Sequence, residues 1–403
     1  MPDVLKISLV FGLTLLLLRK KLNIGYVMLI SSALIAVLYR MGPVRVLETS
    51  RKAAVNGITI KLLLALSLIR IFELILREQN VLSSMMKSVK GFFKSKRVVI
   101  VSMPMLIGML PSLGGAYFSA PMVKEATAGL KMSQEEKAFI NYWYRHPWEF
   151  ILPLYPGILL ASAVSNIPLY RLITYNGACA LTLLATGFVY SMRRFEPSDA
   201  VGKSVAAGRK GTIKFDWLSF LPVASVLLLV VAARIELHYA LLAVIVPLIL
   251  IYRYRPAEVV RITRYGFAVD VIVLIFGIML FKETMESSGA VANLSVFFVD
   301  RGIPVLPILC LLPLITGLLT GHTVGFVGST FPLLISITGG APVAEISLAF
   351  ASGFIGVLLS PVHLCLVLTR EYFKADLWGV YRKIIPASLF IFCTAFIEYL
   401  ILR

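Results

Sequence analysis

The heptapeptide YRHPWEF holds the densest group of ionisable residues in an otherwise apolar stretch, with Arg145, His146 and Glu149 around Pro147. A guanidinium binds a carboxylate or an oxyanion through two parallel hydrogen bonds, and an imidazole exchanges a proton near neutral pH. Ionisable groups at membrane depth usually face a cavity and serve function. We therefore interpret Arg145 as a substrate-binding residue for an anion, His146 as a binding and proton-coupling residue, and Glu149 as a proton-coupling residue.

These three residues also have a structural interpretation. Arg145 and Glu149 are spaced i, i+4, so on a continuous helix they would form an ion pair that neutralises both charges. Pro147 lacks a backbone N–H and leaves a helical carbonyl without its partner, so His146 or Glu149 could instead satisfy the backbone at that break. The sequence leaves both interpretations open.

Two further segments carry small polar residues within apolar surroundings, GMLPSLGGAYFSAPMV from residue 108 and TGHTVGFVGST from residue 320. Glycines let a ligand approach the backbone, and free amides at helix N-termini favour an anion. Gly114 and Gly325 are predicted to lie at backbone breaks with positive φ. The candidate substrate-binding residues in these segments, together with a histidine beyond Pro361, are Ser112, Gly114, Gly115, Ser119, Gly321, His322, Thr323, Gly325, Ser329, Thr330 and His363.

Several of these candidates have simpler alternative roles. Serine and threonine hydroxyls in helices often bond to a carbonyl of the preceding turn, and His363 on an apolar helix is typical of a core histidine. For His322, at the second tip, ligand contact and proton coupling are favoured over simple packing. The cysteines show no CxxC spacing. Those interpreted as small core residues are Cys179, Cys310, Cys365 and Cys393.

The composition defines the class of protein that must position these residues. Of 403 residues, 59% are hydrophobic and 15% are charged, whereas soluble domains carry about a quarter charged residues. Too little polar surface remains to cover a water-soluble particle, so the sequence predicts an all-α polytopic membrane protein. The net charge of +18 indicates cytoplasmic loops that meet anionic lipid, with the lipid bilayer and not nucleic acid as the partner.

Apolar runs of roughly 20 residues can cross a bilayer, and their recurrence predicts about ten transmembrane helices. The first run lacks a basic n-region and a cleavage site, which favours a retained span over a signal peptide. Segments 98–130 and 303–337 are apolar but interrupted by proline and glycine, and the basic segment 40–61 is predicted to form an interfacial helix. The predicted spans are 3–18, 24–39, 57–77, 138–164, 168–191, 216–233, 238–252, 266–281, 345–368 and 380–402.

The positions of lysine and arginine indicate how the two interrupted segments enter the membrane. The loop 79–97 carries five of these residues and the loop 193–214 carries six, and cytoplasmic loops are enriched in them. Both loops are cytoplasmic only if 98–130 enters and leaves on the same side. The same reasoning, applied to the basic residues between 370 and 383, makes 303–337 a re-entrant hairpin from the opposite side.

The two re-entrant hairpins fit an internal repeat. An offset of 209 residues aligns Gly108 with Gly317 and, after short insertions, Pro147 with Pro361. Each half has five spans, an odd number, so the halves are predicted to have inverted topology, as in many secondary transporters. The predicted units are a first inverted repeat (1–192), a cytoplasmic basic linker (193–215) and a second inverted repeat (216–403).

The motifs GMLPSLGGAYFSAPMV, YRHPWEFILPLYPG and LSPVHLCLVL resemble those of a prokaryotic membrane family called domain of unknown function 401. The resemblance covers nearly the whole chain and implies membership of the ion transporter superfamily, alongside arsenite, citrate, gluconate, lactate and dicarboxylate carriers. It implies a scaffold domain, a transport domain with two opposed hairpins, dimerisation and elevator-type movement. Sodium-coupled members often carry Ser-Asn-Thr at the hairpin tips, whereas the tips here contain no asparagine.

These features predict a secondary active transporter of a small organic or inorganic anion in the cytoplasmic (inner) membrane of a prokaryote. We expect a homodimer with no cofactor that couples to H+ in preference to Na+. The first alternative is an intramembrane metal-dependent or acid–base enzyme that uses His146, Glu149, His322 and His363. The sequence has no HExxH motif, and an enzyme does not need two inverted halves, so an enzyme is not the expected class. A channel or a lipid flippase is the third possibility.

Overall fold

The structure is a computed structural model that describes residues 3–20, 22–92, 95–110, 115–191, 217–290, 301, 304–338, 340 and 342–402. These residues form α-helices joined by turns, with one 3-10 turn and no strand among them. The all-helical class predicted from the composition is confirmed for this part of the chain. The predicted linker 193–215 and the predicted tip residues Ser112 and Gly114 lie outside the described residues.

The first half of the chain is built from helices of 4 to 22 residues. In chain order they are α1 (Asp3–Arg19), α2 (Ile24–Leu38), α3 (Pro43–Val55), α4 (Gly57–Glu78), α5 (Val81–Phe92), α6 (Lys96–Gly108), α7 (Gly115–Ala126), α8 (Gln134–Trp143), α9 (Trp148–Ile151), α10 (Pro156–Ser165), α11 (Leu169–Tyr175) and α12 (Gly177–Ser191).

The second half follows with a 3-10 turn at Trp217–Phe220 and a second series of helices. In chain order they are α13 (Leu221–Val231), α14 (Leu237–Ile251), α15 (Pro256–Gly266), α16 (Val269–Ser287), α17 (Val305–Thr320), α18 (Thr323–Ile337), α19 (Val343–Leu359), α20 (Leu364–Phe373) and α21 (Leu377–Leu402).

Several helical stretches have the length and composition of membrane spans. Among the described residues, four are long and apolar enough to cross a bilayer, and the bent pair of α11 and α12 makes a fifth. Such helices suit a membrane-embedded protein. Other predicted spans form shorter helices, except 57–77, which forms the 22-residue α4; within 216–233, the 3-10 turn at Trp217–Phe220 leaves α13 with 11 residues. The four long stretches are Gln134–Ser165, Pro256–Ser287, Val343–Phe373 and Leu377–Leu402.

Three of these stretches contain a break between helices: Pro256–Ser287 is interrupted at residues 267–268, and the other two, which break at a proline, are called the first and second broken helices. The first, Gln134–Ser165, starts at a capping box formed by Ser133 and Glu136. It is interrupted at residues 144–147, the first break, because Pro147 has no N–H to continue the helical hydrogen bonds. The second, Val343–Phe373, is interrupted at residues 360–363, the second break, around Pro361.

Two pairs of packed helices occupy the interrupted segments 98–130 and 303–337, and we call them the first and second hairpins. In the first hairpin α6 packs on α7, and in the second hairpin α17 packs on α18. The second turn is only two residues long: Gly321 has φ +63° and donates its N–H to Gly317 O at 2.8 Å. A residue with a Cβ is strained at that φ. The positive φ predicted for Gly325 was wrong, because α18 resumes at Thr323 and Gly325 lies within it.

The two halves of the chain pack on each other reciprocally. The last part of the first broken helix, α10, packs on α18 of the second hairpin, and the last part of the second broken helix, α20, packs on α7 of the first hairpin. In the same way α2 packs on α16, and α14 packs on α4. The cores of the two halves are therefore shared, and both breaks lie where the halves meet.

Two amphipathic helices follow the same reciprocal pattern. α3 packs on α16 and α15 packs on α4, each with a cation facing a carboxylate of the helix it covers. Lys52 Nζ lies 2.8 Å from a carboxylate oxygen of Glu283, and Arg261 Nη1 lies 2.7 Å from one of Glu78. The helix predicted in the segment 40–61 is therefore present as α3.

Candidate functional site

Arg145 lies in the first break, between the end of α8 and the start of α9. The residue is only 4% exposed, and its Nε and Nη1 atoms have no hydrogen-bond partner. Burial without partners is costly for a guanidinium because it removes the hydration of a permanent charge. The first break therefore holds a buried positive charge with two donor nitrogens available to a bound group.

Arg145 and Glu149 do not form the ion pair that their i, i+4 spacing allowed. Two guanidinium nitrogens of Arg145 are unpartnered, and the Glu149 carboxylate accepts a hydrogen bond from Thr323 Oγ1. That pairing requires a continuous helix, and the break lies between the two residues. The guanidinium still acts electrostatically on Glu149 and His363, so these groups belong to one site.

Glu149 connects the first broken helix to the second hairpin. It is 8% exposed, in the short helix α9, and its partner Thr323 is the first residue of α18. The close approach depends on Gly157 in α10, because a Cβ there would lie 2.5 Å from Thr323 Cγ2. The carboxylate thus faces a hairpin turn contributed by the other half of the chain.

The two breaks meet through a pair of histidines. His146 Nε2 lies 3.1 Å from His363 Nε2. The other ring nitrogens face backbone carbonyls: His146 Nδ1 lies 2.6 Å from Tyr142 O, and His363 Nδ1 lies 2.7 Å from Gly321 O. A carbonyl can only accept, so both Nδ1 atoms are donors and the Nε2 lone pairs point at each other. Both histidines are buried.

Cys365 lies beside this histidine pair. Its Sγ and one ring nitrogen of each of His146 and His363 all lie within 4.8 Å of one another. Thiolate and imidazole are both ligands for soft and borderline metal ions, so the described residues include one three-residue cluster that could hold a metal ion. The assignment of Cys365 as a small core residue was therefore incomplete, and Cys393 is exposed rather than buried.

Side chains of the breaks satisfy the ends of the hairpin helices, whose last carbonyls have no partner within the helix. Near the first break, the Trp148 indole donates to Met105 O at 2.7 Å and the Tyr155 hydroxyl donates to Gly108 O. At the second break, the Ser360 hydroxyl donates to Leu318 O at 2.7 Å, and His363 donates to the adjacent turn. Each break thus holds the end of a hairpin helix.

The remaining predicted residues differ in what their side chains contact. The hydroxyls of Ser119, Ser329 and Thr330 are buried and donate to carbonyls three or four residues earlier in their own helices. These hydroxyls are thus hydrogen-bonded within α7 and α18. Gly115 begins α7 and is buried. His322 precedes α18, is exposed in the isolated chain, and makes no side-chain hydrogen bond among the described residues.

Sequence reasoning missed four residues that shape the site. Tyr155, Trp148 and Ser360 cap hairpin carbonyls, and Cys365 adds a thiol to the histidine pair. The capping roles leave no sequence signature because their acceptors are backbone atoms of distant segments. Cys365 could have been suspected because it stands two residues after His363, next to a proline break.

The fold and the site together define a class of protein. It is an all-helical, largely apolar chain in which two broken helices meet at a buried polar site containing a positive charge, a carboxylate and a histidine pair. The chain belongs to the family described as protein of unknown function (DUF401), whose model matches residues 4–402. No curated protein matches the chain.

Proposed function

We propose that this protein is a secondary active transporter of a small organic or inorganic anion. The observation that carries the proposal is Arg145, a buried cation with two unpartnered nitrogens at the place where two helix breaks meet. A guanidinium in that position suits a carboxylate or an oxyanion, which would accept charge-assisted hydrogen bonds from its free nitrogens. The anion would replace the hydration that burial removes.

The reciprocal packing of the halves supports a carrier. Inverted repeats with broken helices that meet near the membrane midplane are typical of secondary transporters. The exchange of contacts between α10 and α18, and between α20 and α7, is the pattern that two intertwined repeats produce. We extend the proposal to an elevator-type member of the ion transporter superfamily, working as a homodimer in the cytoplasmic membrane of a prokaryote.

We assign the coupling proton to Glu149. This carboxylate is buried and accepts from Thr323 at the second hairpin turn, so it lies on the boundary between a hairpin and a broken helix. A movement of the hairpin would expose it to water and change its protonation. The tips lack the asparagine of sodium-coupled relatives, which favours H+ over Na+.

The alternative of an intramembrane enzyme has partial support. Of its four proposed residues, His146 and His363 are adjacent, while Glu149 is bonded to Thr323 and His322 has no side-chain hydrogen bond among the described residues. An acid–base mechanism would need a reacting group between a free acid and a free base. The unprotonated Nε2 atoms of the two histidines face each other at 3.1 Å, which leaves no room between them for a reacting group, whereas Arg145 offers two free nitrogens, so we prefer the carrier.

The proposal can be tested by ligand-dependent thermal stability. Purified wild-type protein, Arg145→Gln and the control Arg171→Gln, which alters an exposed arginine, would be heated with a panel of carboxylates and oxyanions at several pH values. A ligand that binds only the folded state stabilises it, by about 2.7 kcal/mol at a hundredfold excess over Kd. We expect an anion that raises the melting temperature of the wild type and of Arg171→Gln but not of Arg145→Gln.

Uptake of that anion into proteoliposomes would then separate the function classes. A pH gradient should drive accumulation above equilibrium in a carrier, whereas a channel would only equilibrate the anion and an enzyme would convert it. Equal stabilisation of wild type and Arg145→Gln by every binding anion would contradict the role of Arg145. Chemical conversion of the anion without its accumulation would contradict the carrier.

A further inference from the structure

The histidine pair at the meeting point of the breaks is electrostatically incomplete. Each Nδ1–H is donated to a backbone carbonyl, so each ring presents an unprotonated Nε2 to the other at 3.1 Å. Two lone pairs that face each other at this distance repel. Binding of a cation between the rings would turn this repulsion into attraction.

The geometry points to a metal ion as that cation: we propose that His146, His363 and Cys365 form a binding site for one soft metal ion, with Cu(I) preferred. Bonds from a metal ion to nitrogen and sulfur are about 2.0 and 2.3 Å long, so ligand atoms around one ion lie about 3 to 4.3 Å apart. The three ligand atoms here lie within 4.8 Å of one another. The Cys365 thiol hydrogen-bonds to His146, but one S–H can satisfy only one of the two facing lone pairs, whereas a metal ion would bind both rings and the sulfur.

The surroundings of the two imidazoles match those of metal-binding histidines. Such histidines usually donate the second ring N–H to a carbonyl or a carboxylate, which fixes the tautomer and the orientation of the ring. Both rings have this arrangement, through Tyr142 O and Gly321 O. The Tyr142 ring also packs against both imidazoles, with centroids 4.6 and 5.7 Å away. The ligands are therefore held in place before any metal arrives.

The charges near the cluster favour a monovalent ion. Metal binding displaces the thiol proton of Cys365 to solvent, so Cu(I) with one thiolate and two neutral imidazoles gives a neutral cluster. Zn(II) would leave a net positive charge, and Arg145 already contributes a permanent one that acts on His363 and Cys365. Thiolate and imidazole together suit Cu(I) and Zn(II), and the low dielectric selects the neutral combination.

A bound ion would join the two halves of the chain. His146 belongs to the first broken helix, while His363 and Cys365 belong to the second. The ion would tie the two breaks together at the level of the anion site. This site does not depend on the proposed transport function, because its ligands are separate from Arg145 and Glu149.

The experiment measures Cu(I) binding to full-length protein in detergent under anaerobic, reducing conditions, against a colorimetric Cu(I) chelator. We expect one equivalent in the wild type. Cys365→Ser should weaken binding at least about 100-fold, the upper end of the loss seen even for outer-shell partners, and His363→Gln should do the same. The matched controls Cys310→Ser, also at a half-buried cysteine, and His238→Gln should retain wild-type affinity.

Spectroscopy and stability keep the test independent of folding defects. X-ray absorption of the copper-loaded wild type should report sulfur and nitrogen ligands, and Cys365→Ser should lose the sulfur signal while its metal-free melting temperature stays near that of the wild type. Copper should raise the melting temperature of the wild type. Retention of one tight equivalent by Cys365→Ser, tighter binding of Zn(II) than of Cu(I), or no binding of either ion would each overturn the proposal.

Discussion

The two breaks share a backbone plan but differ in their charges. Each contains a proline, interrupts an apolar helix and caps the end of a hairpin helix with side-chain donors. In the first break region, His146 precedes the proline and Glu149 stands two residues after it. In the second, Ser360 precedes the proline and His363 stands two residues after it. The first region therefore carries a permanent positive charge and a carboxyl group, whereas the matching positions of the second hold serine and histidine.

This difference separates what packing of the helices requires from what a bound group would require. Capping a freed carbonyl requires only a donor of suitable length, so tryptophan, tyrosine, serine and histidine can all do it. A buried permanent charge is costly, and a fold gains nothing from two of them. The packing of the broken helices against the hairpins therefore does not explain why Arg145 is present. Substitutions at the first break should abolish binding of the anion. Substitutions in the second hairpin and at the amphipathic helices should mainly change the stability of the protein.

The largest expected effect is at Arg145. Arg145→Lys should weaken binding of the anion found in the ligand screen by about 10- to 100-fold, since an ammonium cannot reproduce two parallel charge-assisted hydrogen bonds. Arg145→Gln should abolish that binding while the protein remains folded. Isothermal titration of the anion into each variant, together with its melting temperature, measures both effects.

The competing explanation is that Arg145 balances Glu149 at a distance. In that case Arg145→Gln would destabilise the protein by about 3 kcal/mol, because one buried charge is left without the other. The double variant Arg145→Gln with Glu149→Gln would then recover stability and binding together. Recovered anion binding in the double variant would refute the direct role of Arg145, and recovered stability alone would not.

The sequence predicted where the helices of the site are interrupted better than it predicted which side chains interact there. Proline and glycine mark breaks through local backbone geometry, so the interrupted segments and Pro147 and Pro361 were found directly. The sequence left open whether Arg145 pairs with Glu149, because the spacing rule holds only for a continuous helix and the break lies between the two residues. The contact between His146 and His363 joins residues more than 200 positions apart, and nothing in local spacing encodes such a contact.

A second, smaller effect distinguishes two glycines of the second hairpin. Gly321→Ala places a Cβ at φ +63°, 3.0 Å from His363 N, and should destabilise by about 1–2 kcal/mol or more because a left-handed conformation is strained for alanine. Gly325→Ala lies within α18, where alanine favours the helix by up to about 1 kcal/mol but meets Thr320 at 3.1 Å.

At Gly325 the gain in helix propensity and the close contact with Thr320 have opposite effects on stability. The alanine variant should therefore have a melting temperature close to that of the wild type. Thermal unfolding of both variants in one detergent gives the comparison. A larger loss for Gly325→Ala than for Gly321→Ala would mean that the turn does not lie at Gly321. Loss of copper binding in Gly321→Ala, but not in Gly325→Ala, would further show that the turn orients His363.

The smallest expected effect concerns the amphipathic helices α3 and α15. They pack in equivalent ways, but the carboxylates that they pair with differ in exposure. Glu283, paired with Lys52, is buried, whereas Glu78, paired with Arg261, has a side chain that is 29% exposed. The Arg261 guanidinium donates to both carboxylate oxygens of Glu78, at 2.7 and 3.0 Å. This hydrogen bonding, helped by the Tyr254 hydroxyl, lowers the pKa of Glu78 below its usual value.

A lowered pKa in the folded state means that the pair stabilises the protein only while Glu78 is ionised. The contribution is complete above the unfolded glutamate pKa of about 4.3 and is lost as the pH falls through the lower folded value. Because Arg261 is largely exposed, solvent screens the pair and its contribution to stability should be small. Glu78→Gln should therefore melt slightly below wild type at pH 7, and the gap should close on acidification, whereas the exposed control Glu371→Gln should show no such gap. A gap that widens at low pH would mean that Arg261 does not stabilise the ionised carboxylate, and that α15 is held on α4 by its apolar face alone.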